Sequence, residues 1–204
     1  MSDPIKTWFN TNSRLVAWQF LKDNKISRLP VNPFELAKRL GVIVMNYDDF
    51  AAHYQVSTNY LVEEISPDGF ARFVDKYFIV AYNNSVISLG RKRWTITHEL
   101  AHFILGHISP AVPLLGRENK KAKLDMAADA FTRRILCPSI VLERIGVQTP
   151  DQIAALCGIS YLAAKNVHLH MSGLRQNQKF GTIPLELEVL KQFQPFIDQT
   201  VQNG

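Results

Sequence analysis

Apolar positions along this chain recur mostly at helical spacing, and the clearest exception is the unbroken run Tyr77-Phe78-Ile79-Val80-Ala81-Tyr82. Closed by the turn signal Asn83-Asn84, that run reads as a buried strand. Strands are expected near 42–47, 70–75 and 77–82, and helices over 12–25, 33–40, 91–105, 121–136, 138–145, 150–157 and 160–172. The first helix carries Leu15, Val16, Trp18, Phe20 and Leu21 behind a cap at Asn12 or Ser13. Past residue 175 the chain turns polar, yet Leu185, Leu187, Val189, Leu190 and Phe193 leave room for one more helix or a mobile arm. The layout is α+β: a small antiparallel or mixed sheet with helices on one side, followed by a C-terminal helical region. No repeat or low-complexity linker interrupts it.

Within the 91–105 helix lies His98-Glu99-Leu100-Ala101-His102, an H-E-x-x-H pattern. Positions i and i+4 share a helix face, so both imidazoles can point at one metal ion. Glu99 then stands beside the metal, placed to take a proton from water and pass it to a leaving amine. The helix is mostly apolar (Trp94, Leu100, Ala101, Phe103, Ile104, Leu105), with Gly106 where a left-handed cap belongs and Pro110 beyond it. Burying two imidazoles and a carboxylate with no shared partner is costly, which favours a metal over ordinary core histidines.

A catalytic zinc takes three protein ligands and keeps one position open. A third histidine six residues after His102 is absent, because position 108 is Ile. His107 falls one residue short and reads as a structural residue at the helix end. Asp125 and Asp129 are better candidates, since they stand four apart on the 121–136 helix and share a face. The first would bind the metal and the second would accept the free N–H of a ligand histidine. The competing reading is two solvated aspartates paired with Lys120, Lys121 or Lys123.

Four stretches now resemble one family, in order. They are "LPVNPFELAKRLGVIVMNY", "DGFARFVDKYFIVAYNNSVISLGRKRWTITHELAHFILGH", "DMAADAFTRRILCPSIV" and "LCGISYLAAKNVHLHMSGL". Together they resemble the ImmA/IrrE metallo-endopeptidases over nearly the whole chain. The third stretch is similar to the family's E-x-x-A-N-x-F-A-x-x-L-L-M-P. The resemblance implies a zincin-like domain over 1–145 and a helical hairpin with a polar tail over 146–204. It also implies His98 and His102 as metal ligands, Glu99 as general base, Asp125 in place of the family's third-ligand Glu, and Asp129 behind it. Aspartate is one methylene shorter than glutamate, so the second helix must approach by about 1–1.5 Å or the site opens. Thr132 and Cys137 look like packing swaps, and Arg93 holds the family's arginine position before the active helix, a structural anchor.

Composition narrows the setting. The chain has 204 residues, 47% hydrophobic and 20% charged, as in a soluble globular protein. Two cysteines without a C-x-x-C give neither a disulfide framework nor a cysteine zinc site. Neither a signal peptide nor a spanning apolar stretch is visible, so the cytoplasm is expected, with no membrane partner. The net charge of +5 allows an acidic partner without naming one. Its clusters (Arg91-Lys92-Arg93, Lys120-Lys121, Arg133-Arg134) read mostly as solvated helix faces.

Thr149-Pro150, Gly158 and Ser160 outline two short helices in helix-turn-helix fashion. The second opens Ser160-Tyr161-Leu162-Ala163-Ala164-Lys165-Asn166, thin in residues that read base edges, so direct DNA binding is not expected. His168 and His170 lie two apart and make a poor metal pair, so they read as surface or packing residues. The expected function is metal-dependent hydrolysis of a peptide bond. The family resemblance suggests a helix-turn-helix repressor of a mobile element, phage or stress response as the protein substrate. The strand at 77–82 is a possible docking edge for it. Zinc is the expected metal, with manganese acceptable to the same donors. The alternative is a non-catalytic antirepressor with a structural metal.

Overall fold

The computed structural model describes residues 4–74, 76–108 and 118–202, with side chains from 13 to 74, 76 to 108 and 122 to 202. Pro110 and the Lys120 and Lys121 side chains, named above, lie outside them. The residues fall into two compact units, Asn32–Asp129 and Met1–Val31 with Ala130–Gly204.

The Asn32–Asp129 unit is built on a three-stranded sheet in the order β1-β3-β2, with β1 at Ile43–Asn46, β2 at Gly69–Val74 and β3 at Tyr77–Tyr82. β1 runs parallel to β3 and β2 antiparallel to it, so the sheet is mixed. β3 is central and both its edges are taken. A docked peptide therefore has no free edge on 77–82, and that docking expectation is withdrawn.

The register also corrects the expected one-sided layout. Phe70 pairs with Ala81 and Arg72 with Ile79, placing these residues on one face. There Phe70, Ile79 and Ala81 meet Tyr47, Phe50 and Ala51 of α3 (Tyr47–Tyr54) and Leu61 of the π-helical turn Leu61–Ile65. The opposite face carries Gly69 with Tyr82 and Phe73 with Phe78. On that side lies α5 (Leu89–Ile104), with Phe103 stacked 4.2 Å from Phe78. α2 (Pro33–Leu40) joins it there through Phe34, 5.8 Å from Tyr82. Helices on both faces are why β3 is apolar at consecutive positions.

α3 was not among the expected helices, although its signals are present. Asn46 caps it by accepting from the Asp49 amide at 2.8 Å, and Asp48 and Asp49 fill its first turn.

In the other unit, α1 (Pro4–Asp23) starts well before the expected cap, so Asn12 and Ser13 lie inside it and Ser13 is buried. Pro4 at its first position suits a helix start, because the missing N–H is one that has no partner there anyway. Arg14 of α1 pairs with buried Glu186 at 3.3 Å, and Gln192 donates to the carbonyls of Leu21 and Ile26. Glu186 and Gln192 belong to α10 (Pro184–Gln192), which with α11 (Gln194–Gln202) forms the tail as two helices. The hairpin is α8 (Pro150–Cys157) and α9 (Tyr161–Gln176), with the Thr149–Gln152 capping box and a left-handed Gly158 between them. Among the described residues no helix is long and apolar enough to cross a membrane.

Candidate metal centre

The helix that carries the H-E-x-x-H pattern is fixed before its histidines are reached. Ser88 caps α5 by accepting from the Arg91 amide at 3.2 Å. Arg91 Nη2 donates to Asp68 at 2.8 Å and Lys92 donates to the Asn84 carbonyl at 3.0 Å, so these cations tie the helix start to the ends of β2 and β3 rather than standing free in solvent. Arg93 is half-buried, and its carbonyl accepts from Thr97 Oγ1 at 2.8 Å. Ile96, Leu100 and Ala101 are buried, each large one contributing about 1.5–3 kcal/mol. The closest approach is at Gly69, where a Cβ would meet Thr95 Cγ2 at 2.6 Å and the Ala81 carbonyl at 2.9 Å.

His98 and His102 then present Nε2 atoms 3.1 Å apart. Asp125, on α6 (Glu118–Leu136), places Oδ1 3.4 Å from His102 Nε2. Ligand atoms of His98, His102 and Asp125 all lie within 4.8 Å of one another. In a tetrahedral zinc shell with bonds of about 2.0–2.1 Å, neighbouring donors stand roughly 3.3 Å apart, so the two short separations suit a zinc-sized ion. Asp125 reaches the cluster despite its missing methylene.

The hydrogen bonds behind these atoms support the same fit. Asp129 Oδ1 lies 2.8 Å from His98 Nδ1. A hydrogen on Nδ1 donates to that carboxylate and leaves Nε2 with a lone pair. His107 Nδ1 lies 3.1 Å from His102 Nδ1. When His102 donates there, its Nε2 is a second lone pair facing the first and the Asp125 carboxylate. Such a convergence repels itself unless a cation or proton sits within it. The three donors together could hold a metal ion.

Electrostatics act in opposite senses on the two outer imidazoles. Burial pushes His98 down, but the Asp129 hydrogen bond and the charges of Glu99, Asp129 and Asp125 outweigh it and leave His98 above its ordinary value. His107 is lowered to about 4 by burial, then by His98. Glu99, one residue past His98, is half-buried and close enough to both His98 and Tyr47 for its charge to act on them.

The sequence assigned His107 a purely structural place. Its contact with His102 is the feature that reading missed, and the signal was available: Gly106, with φ 69°, turns the chain back so that the next side chain faces the helix it has just left. His168 and His170 are half-buried on α9 and belong to the other unit. Arg134 departs from its solvated reading. It is buried, donates to the Ala130 carbonyl at 2.7 Å, and is lowered to about 9 by burial and then by Arg133 and Arg14. Thr132 and Cys137 are fully buried, as packing residues would be. No protein-family model matches the chain, and no curated protein matches it.

Proposed function

We propose that the chain is a zinc-dependent endopeptidase of the ImmA/IrrE type, acting in the cytoplasm on a helix-turn-helix transcriptional repressor. The observation that carries this reading is the meeting of His98, His102 and Asp125 within 4.8 Å beside Glu99, with Asp129 holding His98. Zinc bound there supplies a Lewis acid that polarises the scissile carbonyl and makes a water easier to deprotonate.

The protein's own groups carry the rest. Glu99 accepts a proton from the attacking water, whose oxygen bonds to the carbonyl carbon. As the C–N bond breaks, Glu99 returns that proton to the departing nitrogen. Asp129 keeps the His98 hydrogen on Nδ1 and its Nε2 free. A substrate strand that pairs with the sheet would do so at an edge, β1 or β2, rather than at central β3.

The resemblance supplies the repressor as substrate. The exposed face of α9 agrees with a protein partner rather than DNA, since Tyr161, Leu162 and Leu169 stand out on it and offer little to base edges.

Asp125 in place of glutamate also admits a second reading, a regulator that binds its repressor around a structural metal without cutting it. Metal analysis and co-expression with each candidate helix-turn-helix repressor of the same genome separate the two. The wild type is expected to hold about one zinc per chain and cleave one repressor. Asp125→Ala loses the metal, and Glu99→Gln keeps the metal while losing cleavage. Repressor that is bound but uncut by both wild type and Glu99→Gln establishes the regulator instead.

A further inference from the structure

We propose that His107 is the positioning residue for ligand His102: its Nδ1 accepts the Nδ1 hydrogen of His102 and thereby turns the His102 Nε2 lone pair onto the metal. The inference rests on the metal-centre reading above and extends it to a residue outside the ligand set. Three features of the structure lead to it. The two Nδ1 atoms are 3.1 Å apart, and the rings stand 5.0 Å apart at 69°, which is hydrogen-bonding rather than stacking geometry. The placement is built by the backbone: Gly106 adopts φ 69°, and the His107 amide donates to the His102 carbonyl at 2.8 Å, so the donor and acceptor side chains hang from a closed turn. His102 is also buried, with 4% exposure, so bulk water is no ready substitute for its Nδ1 partner.

The arrangement gives each ligand histidine its own support. Asp129 serves His98 with a charged acceptor and His107 serves His102 with an uncharged one. Imidazole is ambidentate, and a hydrogen on the wrong nitrogen would aim an N–H at the metal position. Fixing the tautomer before the metal arrives removes that competing state.

The test compares wild type with His107→Ala, His107→Leu and His107→Asn. Asparagine places its Oδ1 near the position of the imidazole Nδ1 and so remains an acceptor. Zinc affinity is measured by chelator competition, and the His102 tautomer is read from nitrogen-15 spectra of the metal-free proteins. Ala and Leu are expected to weaken zinc by on the order of 10–100-fold, while Asn keeps wild-type affinity. The His102 hydrogen is expected on Nδ1 in wild type and Asn, and divided between the nitrogens in Ala and Leu. Should Ala fail to fold, the Leu–Asn comparison decides alone.

Unchanged affinity in Ala and Leu, an equal loss in all three variants, or a wild-type His102 with no hydrogen on Nδ1 would overturn the assignment. A wild type without zinc affinity would instead overturn the metal centre, and the metal-free spectrum would still decide whether His107 accepts from His102.

Discussion

Two aspartates four residues apart are placed differently, and the difference lies in which imidazole nitrogen each one meets. Asp125 approaches an Nε2 atom and Asp129 an Nδ1 atom, so under the proposed metal centre the same carboxylate would be a donor to a metal in one case and an acceptor of N–H in the other. Asp129 is 54% exposed, so little packing depends on it. Asp129→Ala is therefore expected to lower zinc affinity about 10–100-fold while the metal-free protein melts at nearly the wild-type temperature. Isothermal titration and a thermal scan of the same sample check both halves. The H-E-x-x-H pattern and the two aspartates were legible as a candidate site because metal ligation, and a carboxylate behind a ligand imidazole, need specific side chains at helical spacing. His107 was not, because its role depends on a turn that returns the chain toward His102, and helical spacing alone does not describe that.

At the level of elements, the metal site is only as firm as the seat of α5 on the sheet. Part of that seat is a close approach at Gly69, where any Cβ would run into the Thr95 side chain of α5 and the Ala81 carbonyl of β3. Gly69→Ala must turn the Thr95 side chain, shift α5 or distort the β2–β3 pairing. It should cost about 1–3 kcal/mol of stability and weaken zinc, measured by denaturant melts and chelator competition. A variant as stable as wild type would show that the Gly69 contact does not seat α5. The helices and strands themselves were largely visible in the pattern of apolar positions and caps. The strand order was not, because an apolar run says that a strand is buried and not which neighbours flank it. β1 pairs in parallel with β3 across the intervening α3 and β2, and only that pairing closes off 77–82 as a docking edge.

Across the whole molecule, the candidate ligands and their neighbours fall between Asn32 and Asp129, while α1 and the later helices belong to the second unit. That second unit carries a titration of its own. His170 on α9 is lowered from 6.5 to about 4 by burial, then by Arg133, Arg134 and Arg14, with Glu186 the acid paired to Arg14. A folded-state value below the unfolded one means that the unfolded chain takes up the proton first. The stability linked to neutral His170 is thus fully present above pH 6.5 and is lost as the pH falls toward about 4. Burial raises Glu186 despite Arg14, so its contribution runs the other way: it is present below the unfolded value near 4.5 and lost as the pH rises. Comparing wild type with His170→Gln isolates the histidine. The wild type should lose stability relative to the variant between pH 6.5 and 4 in urea melts, and parallel curves would refute the assignment.

What the sequence determined by itself is the set of local decisions. These are the helix that carries His98, Glu99 and His102, the second helix with Asp125 and Asp129, the apolar strand, the hairpin caps, and the candidate metal chemistry. Each depends on side-chain type and on spacing within a few residues, which any chain displays openly. The tertiary structure decided what depends on residues far apart in the chain: the strand order, helices on both faces of the sheet, the burial of Arg134, and the grouping of α1 with the later helices. It also decided that Asp125, one methylene short, reaches the imidazoles. The physical reason is that distances between elements are set by packing, and packing is a sum over many contacts that no short stretch of sequence contains.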